Sequence, residues 1–456
     1  MKLFILIAYG IALLLTGVYS SLKIKTPGDY FVAGKRTGIL QVSGSLLATI
    51  LGGSAILGTI NLTRSQSWAA AWYILAASFG LFILTFIVKK VNRLGKFTLP
   101  GLIGQFYGEQ ARKTASVIIP VAWLGIIAAQ IIASAQILAS FFSLNYTAGV
   151  LISGIIFIIY TFIGGQISIL KTDFIQSVII LAGVTCTFFI LKSDPAPNPI
   201  PLRTAFPFNP HFSPIDLLIL VLTFSSTFVV GPDIYSRVFC ARNERISQIS
   251  VIITALILIP FAFLLVYIGI RSFELDPGKE GTSALVNVIL AYLPDWAVGL
   301  MVAALLSAVL SSADTTLLTA SIILSELFQK DIDNHRSFIQ TKYFIILTGI
   351  ASMLTALHIS SIIASLLLAL SFYSGAFIIP MIAALFNIPY CKKYSLWAMI
   401  AGGVVSLSGK IATGFFGFGY GNWVIIAGFA INAAILFLPL GYSSIRIPKN
   451  VSVRQN

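Results

Sequence analysis

Apolar runs long enough to cross a bilayer recur along this chain from end to end, and no soluble fold can absorb them. A membrane-spanning helix needs about twenty predominantly apolar residues, and hydropathy places such spans at about 3–22, 40–60, 68–88, 114–140, 147–166, 172–191, 215–231, 247–271, 296–325, 339–358, 360–386, 394–415 and 421–442, about thirteen helices. Of the 456 residues 57% are hydrophobic and 10% charged, with mean hydropathy +0.96, which leaves no room for a sizeable aqueous domain. The fold class read here is an all-α polytopic membrane protein, one transmembrane domain over residues 1–456.

The net charge of +14 would invite a nucleic-acid reading, but its distribution opposes one. With the sides alternated, about 22 of the 29 Lys and Arg fall on one side. They include Lys23, Lys25, Lys35, Arg36, Lys89, Lys90, Arg93, Lys96, Arg112, Lys113, Arg237, Arg242, Arg245, Lys392 and Lys393, against a few such as Arg64, Lys192, Arg203 and Lys279 on the other. The positive-inside rule then predicts an external N-terminus and a cytoplasmic C-terminus in the cell (inner or plasma) membrane. The basicity reads as topology, and no nucleic-acid partner is expected. Residues 1–20 could pass for a signal peptide, but an apolar run of about eighteen residues followed directly by Lys23 and Lys25 predicts a retained helix.

Chemistry of the enzymatic kind has little to work with. Cys186, Cys240 and Cys391 lie far apart without metal-binding spacing, and three scattered histidines, His358 among them at the end of an apolar run, form no cluster. Neither an enzyme nor an organic cofactor is expected.

The ninth span carries Ser307, Ser311, Asp314 and Thr315 on one helical face (i, i+4, i+7, i+8), with Ser312 and Thr316 beside it. An ionisable residue inside a membrane is a functional-site hypothesis, and hard oxygen ligands in a dry place suit a small hard cation. Each hydroxyl could instead bond a carbonyl one turn back.

Two spans look built to break. The second has Gly52-Gly53 at mid-membrane depth; the seventh has Ser225-Ser226-Thr227 and ends at Gly231-Pro232. Interrupted helices at corresponding places in two halves point to a transporter site, although paired glycines also serve close helix packing. The two spans lie five helices apart, and an odd repeat returns inverted. The expected organisation is an extra helix 3–22, repeat one 40–191, repeat two 215–386 and two further helices within 394–442. Between spans, the Pro-rich segment 192–214 should be an extended external loop, 283–293 a short interfacial helix and 232–246 a cytoplasmic connection.

Four stretches resemble the sodium/solute symporter family, which includes proline, pantothenate, sugar and sialic acid carriers. They are Asp29-Tyr30-Phe31-Val32-Ala33-Gly34-Lys35-Arg36, Thr161-Phe162-Ile163-Gly164-Gly165 with Lys171-Thr172-Asp173-Phe174-Ile175-Gln176, Asp233-Ile234-Tyr235-Ser236-Arg237-Val238, and the run from Leu310 to Leu318. The resemblance implies the leucine-transporter-like five-helix inverted repeat. It implies a sodium site made by the carbonyls of Ala48, Leu51 and Ala308 and the hydroxyls of Ser311 and Ser312. In some members a second sodium binds lower down, at positions matching Asp173, Ser311, Asp314 and Thr315; Asp173 could otherwise be a helix N-cap after Lys171-Thr172. Position 50, polar in several members, is Ile here, and the fourth span offers Gln130, Ser134 and Gln136 but no Arg or Glu.

The solute pocket would comprise Gly52, Gly53, Ser54, Gln130, Ser225, Ser226, Thr227, Tyr373 and Ser374. Such a pocket is mostly neutral and suits a small neutral or zwitterionic solute. The function expected is sodium-coupled symport into the cell by alternating access, with Na+ as the coupling ion and the lipid bilayer as surroundings, in a monomer or weak oligomer. Proton coupling through Asp314 and Asp173 is the alternative, since two nearby carboxylates in low dielectric could share a proton; a membrane solute sensor is a further one.

Overall fold

In hydrocarbon every backbone N–H and C=O must find its partner within the protein, which a helix provides locally. The computed structural model describes residues 2–22, 26–95, 97–142, 144–193, 206–276, 281–328 and 335–438, and among these the regular structure is helical, without a ladder of strands. The helices are α1 (Lys2–Ser21), α2 (Pro27–Val32), α3 (Ile39–Ile50), α4 (Gly53–Gln66), α5 (Trp72–Leu94), α6 (Leu99–Tyr107), α7 (Glu109–Phe142), α8 (Tyr146–Ser193), α9 (Pro214–Leu220), α10 (Ser226–Val229), α11 (Pro232–Cys240), α12 (Glu244–Leu275), α13 (Gly281–Tyr292), α14 (Asp295–Phe328), α15 (His335–His358), α16 (Ile362–Leu385), α17 (Ser395–Phe416) and α18 (Gly421–Phe437). Among the described residues, nine helical stretches are long and apolar enough to cross a membrane.

The second span is broken where the paired glycines stand. The Ala55 and Ile56 amides both donate to Gly52 O at 3.0 Å, so α4 starts afresh and Leu51 O loses the amide that a continuous helix would give it. The seventh span is also irregular: α9 passes through a π-helical stretch, Val221–Ser225, into one turn of α10 and stops before Gly231-Pro232. Within α8 the break falls at Gly165 (φ 62°), where a Cβ would lie 2.4 Å from Tyr30 Cδ2. Only glycine fits both that backbone and that contact.

Three sequence expectations change. The sixth span begins at Gln166 rather than near 172, so Asp173 lies two turns inside a helix and is not an N-cap. The segment 232–246 is not a solvated connection: α11 is buried, with Tyr235, Arg237, Val238, Phe239 and Cys240 fully enclosed. Its apolar residues leave little for water to solvate, and Gly231-Pro232 restarts the helix inside the bundle. Arg237, counted above among cytoplasmic charges, is therefore interior. A short helix is found over the segment expected to be interfacial, as α13. The Pro-rich segment is described only from Phe206 onward, so Asn198 and its neighbours lie outside the described residues.

α14 is the axis of the bundle, packed against α1, α3, α4, α7, α8 and α15, with nearly its whole length buried. Large apolar side chains such as Phe86, Val178, Phe189, Leu347 and Trp423 point outward, as lipid-facing residues do. Polar contacts mark the ends. Lys90 Nζ donates to Leu385 O (2.8 Å) and Asn387 Oδ1 (2.8 Å) at the C-terminus of α16, Lys35 Nζ to Gly95 O (3.1 Å), and Arg93 pairs with Glu244 (2.8 Å). At the other end of α5, Trp72 Nε1 donates to Pro207 O (3.1 Å). Lys35, Lys90 and Arg93 thus lie together at one end of α5.

Candidate functional site

The broken span presents its loosened carbonyls to α14. Ser311 Oγ donates to Ala48 O at 3.0 Å and lies 3.2 Å from Ala308 O; Ser312 Oγ donates to Thr49 O at 2.8 Å and lies 3.5 Å from Ala48 O. Four of the five expected sodium ligands therefore have oxygens within a few ångströms of one another. The fifth, Leu51, is buried at the break itself. Hard neutral oxygens gathered in a dry place fit a small monovalent cation. Close approach depends on the glycines: a Cβ at Gly52 would sit 2.2 Å from Ser312 Oγ, and one at Gly53 would sit 2.2 Å from Val309 Cγ2.

Below this point two carboxylates and a guanidinium are buried together. Arg237 donates from Nη2 to Asp173 Oδ2 (3.1 Å) and to Thr315 Oγ1, from Nε to Ser45 Oγ (3.1 Å) and from Nη1 to Ser236 Oγ (2.8 Å). Ser45 Oγ in turn donates to Asp173 Oδ2. Thr315 Oγ1 donates to Ser311 O (2.7 Å) and stands 3.4 Å from Asp314 Oδ1. Asp173 Oδ1 and Asp314 Oδ2 have no hydrogen-bond partner among the described residues. Two carboxylates against one guanidinium leave a buried negative charge, a costly arrangement unless a cation joins it.

Beside the break is a cavity of about 80 Å³ lined by Ser54, Gln130, Thr227, Ser312, Thr316, Trp123 and Asp233, with apolar residues between them. Gln130 reads both sides of Ser54, donating from Nε2 to its Oγ (2.7 Å) and accepting its amide at Oε1 (3.3 Å). Of the expected pocket residues, Ser54, Gln130 and Thr227 line this space, while Gly52 packs against Ser312 and Gln130 and Gly53 against Val309 and Ala133. The rest lie apart from it. Ser226 and Ser374 bond back to carbonyls of their own helices, Leu222 O and Leu370 O, and Tyr373 OH donates to Val230 O. Ser225 is buried in the π-helical stretch, its carbonyl lying where a Cβ on Gly80 would come within 2.1 Å. A second cavity, of about 190 Å³, lies toward the loop 206–213 and is lined by Gln66, Tyr73, His211, Asp216 and Lys410 among others. Tyr73 and Phe224, stacked with centroids 4.5 Å apart, separate the two spaces.

Sequence reading missed Arg237 and Asp233 as site residues. The available signal was their i, i+4 spacing on a short helix whose other positions, Ile234, Tyr235, Val238 and Phe239, are apolar.

Residues 30–194 match the model of the Sodium:solute symporter family. The chain is similar to the sodium:solute symporters. It is 22% identical over 274 residues to the uncharacterized symporter YwcA of Bacillus subtilis, covering 57% of this chain and 53% of that one, so it spans about half the length of that relative. It is 23% identical over 375 residues to the sodium/sialic acid symporter NanT of Aliivibrio fischeri, covering 76% and 74%. Among solved structures, a Na+-coupled sialic acid symporter in a substrate-bound outward-open state superposes with TM-score 0.80 at 18% identity, over 97% of this chain and 98% of that one. Mhp1, a nucleobase-cation-symport-1 family transporter in a closed conformation, gives TM-score 0.55 at 15% identity over 88% and 92%. The fold is thus the leucine-transporter-like fold of multi-pass transporters, and these symporter relatives are transporters rather than enzymes.

Proposed function

We propose that this protein is a sodium-coupled symporter that carries a small organic solute into the cell by alternating access, with Na+ as the coupling ion. The observation that carries this reading is the meeting of Ser311 and Ser312 with the Ala48 and Thr49 carbonyls at the break in the second span. An ion held there ties α14 to the broken helix, and coupling follows because the ion and the solute favour the same arrangement of the two. Each positive charge moving inward across about 100 mV supplies about 2.3 kcal/mol to the solute gradient. Tyr73 and Phe224 act as the thin barrier between the central cavity and the outer one. The inverted repeats are assigned to 40–191 and 215–386, and the chain is placed in the cell membrane with its N-terminus outside, as a monomer or weak oligomer.

The unneutralised charge at Asp314 favours a second cation at Asp173, Ser311, Asp314 and Thr315, either sodium or a proton. Uptake into proteoliposomes under an inward sodium gradient, with a proton gradient as the parallel arm, tests both readings. Accumulation that follows the proton gradient and ignores sodium would overturn sodium coupling.

A further inference from the structure

The central cavity is not neutral. Asp233 lines it from the first turn of α11, directly after Gly231 and Pro232. Trp123 Nε1 donates to both carboxylate oxygens at 2.9 Å. The Trp123 indole and the Thr319 hydroxyl are neutral donors and leave the charge in place. Arg237, one turn further along α11, is committed to Asp173 and Thr315. Among the described residues, no Lys, Arg or His nitrogen lies within ion-pair distance of Asp233. The start of a helix favours a carboxylate, but this one also faces a cavity walled in part by Ile126, Leu366 and Leu370. Whatever enters that space meets a negative charge in low dielectric, and the missing partner must come with it.

We infer that Asp233 receives the positively charged end of the transported solute: an ammonium group, on an amino-acid zwitterion or a compact organic cation. This rests on the symporter reading and sharpens it, since a simple organic anion entering the same cavity would face Asp233 with its own charge. A sodium ion could offer Asp233 the same charge, so the test separates ion from solute.

The test is calorimetric titration of the purified full chain, with and without sodium, against glycine, proline and choline as ammonium probes, and glucose, acetate and N-acetylneuraminic acid as neutral and anionic ones. At least one ammonium probe should bind, Asp233→Asn should weaken it by about tenfold or more, and Asp233→Glu should retain more of it. Wild-type preference for a neutral or anionic probe overturns the inference, even where Asp233→Asn fails to fold. So do ammonium binding unchanged in Asp233→Asn, a sodium-responsive protein that ignores every ammonium probe, and loss of sodium binding alone in the variant. Ammonium binding that needs no sodium supports this inference while counting against sodium coupling.

Discussion

Arg237 donates to Asp173 across 3.1 Å with both side chains wholly shut off from the surroundings, joining α11 to the second half of α8 at the depth where α3 and α14 also meet. A buried pair of this kind adds little over a well-packed apolar pair, but removing one partner strands the other. Arg237→Met should therefore lower stability by about 3–5 kcal/mol. Adding Asp173→Asn should recover much of that loss. Thermal unfolding of the detergent-solubilised single and double variants measures it, and equal loss in both would show that the pair is not the reason Arg237 is buried.

Ser311→Ala with Ser312→Ala removes both hydroxyls that face the Ala48 and Thr49 carbonyls. Sodium affinity should drop by about tenfold or more, equivalent to about 1.4 kcal/mol, while helix content and expression stay as they were. Sodium titration of solute binding decides the point; an unchanged sodium requirement removes the ion from these residues.

Gly53→Leu should abolish solute binding in a protein that still inserts, because its side chain would enter the space held by Val309 and Ala133. Gly53→Ala meets the same Val309 methyl, so Val309→Ala should restore part of what it loses. Normal affinity in Gly53→Leu would reduce the glycine pair to a dispensable packing motif.

Asp314→Asn keeps the size of the side chain and removes the charge that Arg237 does not balance. If a second sodium sits there, the variant should need more sodium and show a lower Hill coefficient, with solute selectivity unchanged. If a proton sits there, pH dependence should vanish and the sodium response persist. Kinetics indistinguishable from wild type in sodium, pH and solute would make Asp314 structural.

Orientation rests on Lys35, Lys90 and Arg93 lying together at one end of α5. A cysteine at Lys89 should be shielded from an impermeant thiol reagent added outside intact cells, and one at His211 should be labelled; both positions are exposed. The reverse pattern would invert the topology.

What the sequence determined by itself is what depends on local chemistry. Apolar runs of membrane length impose helices because hydrocarbon offers the backbone no other partner. Gly52-Gly53 and Gly231-Pro232 mark where those helices fail, and the seryl and aspartyl ladder of α14 shows which face carries chemistry. The α11 segment and the two charges it brings could not be read this way. In the chain, Arg237 is one of several basic residues between two spans, and the positive-inside rule takes it for a topological signal. Only folding shows that its guanidinium has a carboxylate 64 positions away and a hydroxyl 78 positions away as partners, and that Asp233 faces a cavity. Asp173 changes role for the same reason: near the expected start of a span it reads as a cap, but the kink at Gly165 moves that start to Gln166 and leaves its carboxylate inside the bundle. Spacing along one helix is visible in a sequence, whereas the partner of a buried charge is set by which helices pack together, and that is a property of the tertiary structure alone.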